Sequence, residues 1–230
     1  MTSEKAQEIF QLLKKHYPQA KMILEWRNNF ELLVSIILSA QCTDKKVNEV
    51  TSIVFPKYRQ KRDGFDSHYQ NYMRIELPKE QAFELVNFAF VPLGELEQDI
   101  KSTGFYHNKA LNVQKAALVV LDTFSGILPK TINELTTIPG VGRKTANVFL
   151  GNAYGIYEGI AVDTHVTKQS QNLGLSKNSD PLKIEQDLMK LFPQEQWFTL
   201  TYLLIEHGRN MRRKNGDRIA CGDDSCILGV

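Results

Sequence analysis

At 230 residues with 42% hydrophobic side chains, the chain has material for one large core or two small ones, which excludes disorder as the default. The 28 basic and 26 acidic side chains nearly cancel to a net charge of +2, so attraction to a polyanion has to come from local clusters, not bulk charge. The longest apolar run, 32–40, is far short of the roughly 20 residues that span a bilayer, and three cysteines are too few for a disulfide framework. With amphipathic periodicity beginning almost at Met1, these features predict a cytosolic protein with no membrane association.

Ala6, Ile9, Phe10, Leu13 and Tyr17 recur at helical spacing and predict a first helix closed by Pro18. Residues 30–38 are apolar almost throughout, the mark of a helix buried all round, ending near Gln41. Thr43 and Asp44 offer capping oxygens to the next helix, in which Val47, Val50, Ile53 and Val54 should point inward and which Pro56 should stop. Residues 57–92 show the least clear pattern. They mix Lys57, Arg59, Lys61 and Arg62 with Tyr58, Phe65, Tyr69 and Tyr72, a composition that suits nucleic acid, although a solvated surface insertion is the preferred reading. Ala110, Val113, Ala117, Val120, Leu121 and Phe124 mark a later helix closed by Gly126 and Pro129, and Thr131 caps its successor. Asp180-Pro181 pairs an N-cap with proline at the first helical position, and Pro193 ends that helix. Only Ile160-Ala161-Val162 looks extended, so the expected class is all-α.

The segment Ile138-Pro139-Gly140-Val141-Gly142-Arg143-Lys144-Thr145 reads as a glycine hairpin between two helices. Gly140 and Gly142 let the backbone turn tightly and let a ligand approach its amides, and the start of the second helix is a seat for phosphate. Hairpins of this kind are also ordinary structural joints. Arg143 and Lys144 tip the balance, because cations in the first turn of a helix oppose its dipole by roughly 0.3–1 kcal/mol each. Phosphate contact explains Arg143; either a second phosphate contact or a reactive amine explains Lys144. Asp163, in Val162-Asp163-Thr164-His165, is placed as an N-cap and is also a candidate carboxylate for a sugar whose glycosidic bond is breaking.

In this order, Leu38-Ser39-Ala40-Gln41-Cys42-Thr43-Asp44, Gly104-Phe105-Tyr106 with Lys109-Ala110, the hairpin from Pro139 to Ala146 and Val162-Asp163-Thr164-His165 resemble the helix-hairpin-helix DNA glycosylases, most closely the endonuclease III branch. The resemblance covers about residues 30–51 and 100–209. It implies a six-helix barrel domain at 22–156, with the insertion at 57–92, beside a second helical domain built from 1–21 and 157–230. A cleft between the two would receive the flipped nucleotide. It makes Lys144 the nucleophile and Asp163 the catalytic aspartate of a bifunctional glycosylase and abasic-site lyase, acting as a monomer on damaged double-stranded DNA in the nucleoid. Gln41 matches a wedge that fills the space left by the extruded base, and Phe105 matches a second wedge, usually leucine, with an ordinary core role equally open. Oxidised pyrimidines are the expected lesions. The alternatives are an oxidised-guanine or mismatch glycosylase of the same superfamily and a non-catalytic helix-hairpin-helix DNA-binding module.

The attack needs a neutral amine, and an ordinary lysine is neutral in only about one molecule in a thousand at neutral pH, a deficit of roughly 4 kcal/mol. A helix start supplies at most about 2 kcal/mol, so exclusion of water by the bound nucleotide has to supply the rest. The chain departs near the C-terminus from the branch it resembles, whose members carry four cysteines there around a [4Fe–4S] cluster. Arg212 stands near the first ligand position and only Cys221 and Cys226 follow, which predicts no cluster, no other metal and no cofactor. Arg209, Arg212 and Arg213, with Lys214 and Arg218, are expected to contact phosphates instead.

Overall fold

The computed structural model describes residues 1–72 and 76–211, together with the backbone of Arg213–Lys214 and Asp217–Arg218, which pair as a short antiparallel ladder. Apart from that ladder, the described elements are helices. The chain divides into two compact units, residues 23–154 and residues 1–22 with 155–230.

The first helix, α1 (Ser3–His16), belongs to the unit formed by both chain ends. The other unit begins with α2 (Asn29–Leu38), and all nine residues from Phe30 onward are buried, as their almost continuous apolarity predicts, Glu31 and Ser35 included. Helix α3 (Asp44–Tyr58) starts on Thr43, whose side chain accepts from the Lys46 amide, and buries Val47, Val50 and Val54. Two expectations fail in α3. Ile53 is 72% exposed, because Val50 and Val54 already occupy the inward face. Pro56 does not stop the helix: it sits on the exposed side, where water serves the carbonyl its ring leaves unbonded, while Phe55 and Tyr58 are held in the core.

Residues 57–92 are not a solvated insertion. They supply α4 (Asp66–Tyr72) and α5 (Lys79–Phe90), and α5 packs against α3 and α4 with Leu85, Val86 and Phe88 buried. Tyr58 stacks on Phe88 with centroids 4.2 Å apart, and the Tyr69 hydroxyl donates to Asn87 Oδ1 at 2.6 Å. Three of the basic side chains are committed to partners elsewhere in the unit, while Lys61 pairs at the surface with Asp66. Lys57 pairs with Asp99 (2.7 Å) and Glu95 (2.9 Å), and Arg62 donates twice to Glu95 at 2.8 Å. The Arg62 guanidinium holds the Glu95 carboxyl down to about 2. Arg59 pairs with the buried Glu31.

Beyond α6 (Leu93–Asp99) and a 3-10 turn (Lys101–Thr103), α7 (Tyr106–Phe124) packs against α2, α5 and α6. Ser125 and Gly126 close it, and Gly126 N–H donates to Val120 O. Then come α8 (Ile132–Leu135), capped by Thr131 as expected, and α9 (Arg143–Tyr154), which packs on α2.

In the unit of both chain ends, α10 (Thr164–Asn172), α11 (Pro181–Leu191) and α12 (Gln194–Asn210) surround a core in which Ile9, Phe10 and Leu13 of α1 join Ile184, Leu188, Leu200 and Leu204. Asp180 caps α11, and Pro193 both follows it and precedes α12. The buried run Ile160-Ala161-Val162 is not a strand, since no segment among the described residues offers it a ladder and Asp163 starts α10 at once. The buried His207 ring shares a 3.1 Å hydrogen bond with the Tyr17 hydroxyl, and burial lowers its pKa. No helix among the described residues is long and apolar enough to cross a membrane.

Beside Glu31, the carboxyl of Glu84 is fully buried and accepts from Asn28 Nδ2 at 2.7 Å. Burial first, then the charge of Glu31, push it up to about 9, so it is neutral at pH 7. A carboxyl whose folded pKa is raised favours folding while protonated, and that stability is lost as pH rises from about 4.5 toward 9. Glu84→Gln, which keeps the shape and never ionises, should therefore gain melting temperature relative to the parent as pH rises from 5 to 9. A constant difference across that range would refute the assignment.

Candidate functional site

The hairpin is built by turn chemistry. The Val141 amide donates to Ile138 O at 3.1 Å across Pro139-Gly140, with Gly140 at φ +83°, the arrangement of a type II turn in which proline presets the second residue and glycine supplies the positive φ. Ile138 and Val141 are buried and anchor the turn from both sides. A Cβ on Gly140 would also stand 3.0 Å from Asn112 Cβ of α7, so glycine is required twice. Gly142 differs: it is exposed, and a Cβ there would meet nothing within 4 Å. The first bond of α9 is Ala146 N–H to Gly142 O at 2.9 Å, which leaves the Lys144 and Thr145 amides without an acceptor among the described residues.

Arg143 and Lys144 are both exposed on this first turn. Lys144 makes no ion pair or side-chain hydrogen bond among the described residues, so nothing there offsets the unfavourable dipole. Asp163 is the N-cap of α10: its Oδ1 accepts from the Val166 amide at 2.8 Å, and its second oxygen has no partner among the described residues. The cap fixes the carboxylate's orientation and spares one oxygen for other work. Arg209, near the end of α12, is exposed and lies 3.9 Å from Glu206. Arg212, Cys221, Cys226 and the side chain of Arg213 lie outside the described residues.

Gln41 and Phe105 share an unusual backbone. Both are non-glycine residues with left-handed φ, +51° and +49°, a conformation costing on the order of 1–3 kcal/mol each unless the surroundings impose it. Gln41 is exposed three residues beyond α2, and Phe105 is 64% exposed immediately before α7. That exposure removes the core reading of Phe105. Ser125 is also left-handed, at φ +49°, but it closes a helix, where this conformation is routine. The one residue at this site whose role the sequence did not reveal is Lys109, whose Nζ donates to Leu38 O and Thr103 O at 2.8 Å each. Its signal was available: Lys109 falls on the same helical face as Ala110, Val113, Ala116 and Ala117, all buried.

Two helices joined by a Pro-Gly-x-Gly turn, with an exposed lysine on the second, define a helix-hairpin-helix protein. Residues 34–194 match the model of the HhH-GPD superfamily base excision DNA repair protein. The chain is 44% identical over 206 residues to endonuclease III of Synechocystis sp., covering 90% of this chain and 83% of that one. It is 40% identical to endonuclease III of Bacillus subtilis over 205 residues, with coverage of 89% and 82%. A solved non-covalent endonuclease III–DNA complex superposes with a TM-score of 0.80 at 37% identity, covering 99% of this chain and 95% of that one; a trapped covalent endonuclease III–DNA intermediate gives the same values. The chain belongs to the HhH-GPD superfamily of base excision DNA repair proteins, in its endonuclease III branch.

The two hairpin glycines should separate by experiment. Gly140→Ala is expected to lower stability by about 1–3 kcal/mol through strained φ and the Asn112 contact. Gly142→Ala should melt within about 0.5 kcal/mol of the parent yet bind DNA more weakly, because its methyl group intrudes only where a ligand backbone would lie. Thermal melting and DNA titration check the pair; equal melting temperatures for the two variants would contradict the turn assignment.

Proposed function

We propose that the protein removes oxidised pyrimidines from duplex DNA, acting as a monomer, with Lys144 as nucleophile and Asp163 as the catalytic carboxylate. Base excision with cleavage at the abasic site follows from membership of the endonuclease III branch. The observation that carries the residue assignment is the exposed Lys144 amine at a helix start, without a partner among the described residues, where a lysine kept for stability alone is disfavoured. The Gly140–Gly142 turn and Arg143 seat the phosphate, and Gln41 and Phe105 enter the stack as the damaged base leaves it. The Lys144 amine attacks the sugar C1′, the bond to the base breaks with its electron pair leaving on the base, and Asp163 takes the amine proton. Its negative charge also stabilises the cationic sugar during departure. The C1′–O4′ bond then opens as the proton held by Asp163 passes to O4′, leaving a Schiff base between Lys144 and C1′; this acidifies C2′, and loss of that proton expels the 3′ phosphate by β-elimination.

Borohydride should trap the protein covalently on abasic DNA, and Lys144→Ala should abolish the trap while DNA affinity stays within a few-fold. Asp163→Asn keeps an oxygen for the Val166 amide, so α10 stays capped, and turnover should fall by about 100-fold or more. Trapping by Lys144→Ala, or parental rates from Asp163→Asn, would sink the assignment. A panel of duplexes carrying oxidised pyrimidines, oxidised guanine or mismatches, read as single-turnover rates, decides the lesion class.

The family's iron–sulfur cluster does not fit this chain's donor set. A [4Fe–4S] centre takes four thiolates. The chain has three cysteines, and Cys42 sits at the start of α3 with its Sγ turned to Thr43 O at 3.8 Å. We therefore propose a cluster-free enzyme in which Arg209, Arg212 and Arg213 contribute phosphate contacts. Protein purified anaerobically should carry no stoichiometric iron and show no visible absorbance; a brown, iron-loaded preparation would reverse the proposal.

A further inference from the structure

The segments that carry Gln41 and Phe105 share one support. Lys109 lies in the first turn of α7 and is 4% exposed. Leu38, whose carbonyl it binds, is the last residue of α2 and stands three residues before Gln41; Thr103, its other acceptor, ends the 3-10 turn two residues before Phe105. Neither carbonyl accepts a backbone N–H among the described residues, so a single ammonium satisfies two orphaned acceptors from separate parts of the chain. No carboxylate among the described residues pairs with it. Burial lowers its pKa, and the ammonium sits against the carbonyl end of α2, where a cation is favoured. A leucine would fill this volume without desolvating a cation, but it would leave both carbonyls buried and unbonded.

We propose that Lys109 is a positioning residue for base extrusion, tying the Gln41 segment to the Phe105 segment so that both side chains meet the duplex as one rigid element. The proposal rests on the wedge reading of Gln41 and Phe105 given above. Wedges on independent loops would each lose conformational freedom on entering the stack; wedges already held by a common donor lose less. The left-handed backbones fit this arrangement, because such conformations persist only where neighbouring structure fixes them.

The test uses Lys109→Met, which keeps the apolar stem and removes the donors, and Lys109→Gln, which keeps an amide donor on a shorter stem. The readout is the fluorescence of 2-aminopurine placed opposite the lesion, followed by stopped flow under single-turnover conditions. Extrusion should slow at least tenfold in Lys109→Met and less in Lys109→Gln. Borohydride trapping on single-stranded abasic DNA, which needs no extrusion, should stay within twofold of the parent. A Gln41→Ala, Phe105→Ala double variant should also slow extrusion, and adding Lys109→Met to it should slow it no further. Normal extrusion by both Lys109 variants beside a slow double variant overturns the tie and leaves the wedges standing. Normal extrusion by the double variant overturns the wedge reading itself. Equal losses on single-stranded and duplex substrates, or additive slowing in the triple variant, reduce Lys109 to a core residue. Should Lys109→Met fail to fold, Lys109→Gln carries the same comparisons.

Discussion

A helix whose side chains are buried on every side draws partners for its ends from the protein, and much of unit 23–154 is arranged around that constraint. Helix α2 hides nine consecutive side chains, so its terminal amides and carbonyls need partners from the protein. At its start, Asn28 caps the Glu31 amide at 3.0 Å and Glu31 returns to the Arg27 amide at 2.6 Å. Glu31 is itself buried and requires the Arg59 guanidinium, and Glu84 remains protonated beside it because the site holds a single cation for two carboxyls. At its end, Ser39 Oγ donates to Ile36 O and Lys109 reaches Leu38 O. One apolar stretch thus recruits charged residues from α3, α5 and α7.

The same requirement redirects the charges of residues 57–92. An aromatic–basic composition suits a nucleic-acid surface only if its cations face outward. Here Arg59 serves the start of α2, while Lys57 and Arg62 converge on Glu95 and Asp99 over the buried Tyr58 ring. The carboxylates that claim them lie 28 to 42 residues away in sequence, so no local window reveals the pairing.

Lysines in this fold are read through the helix dipole. Lys109 and Lys144 both occupy first turns, where a cation is out of place. Lys109 escapes by burying its ammonium against the carbonyl end of another helix, whereas Lys144 remains exposed without a partner among the described residues. The first arrangement joins the ends of two segments through one ammonium. The second leaves an amine exposed at a helix start, the observation on which its proposed role rests.

Sequence alone determined the elements whose causes are local. The caps at Thr43, Thr131, Asp163 and Asp180, the all-round burial of 30–38 and the turn at Pro139-Gly140 each follow from a few neighbouring residues and a fixed backbone geometry. The order of four motifs was enough to indicate the family. Tertiary structure decided what depends on distant partners: that Pro56 is tolerated within α3, that Ile53 faces outward, that Tyr58, Tyr69 and one face of α5 join the core, and that Phe105 is exposed on a left-handed backbone. It also gave Lys109 its partners, because the carbonyls it binds are orphaned only when α2 and the 3-10 turn end beside it. Periodicity records which face of an element is apolar; it carries no record of which distant group will meet that face, and the choice between solvent, core and ion pair is made there.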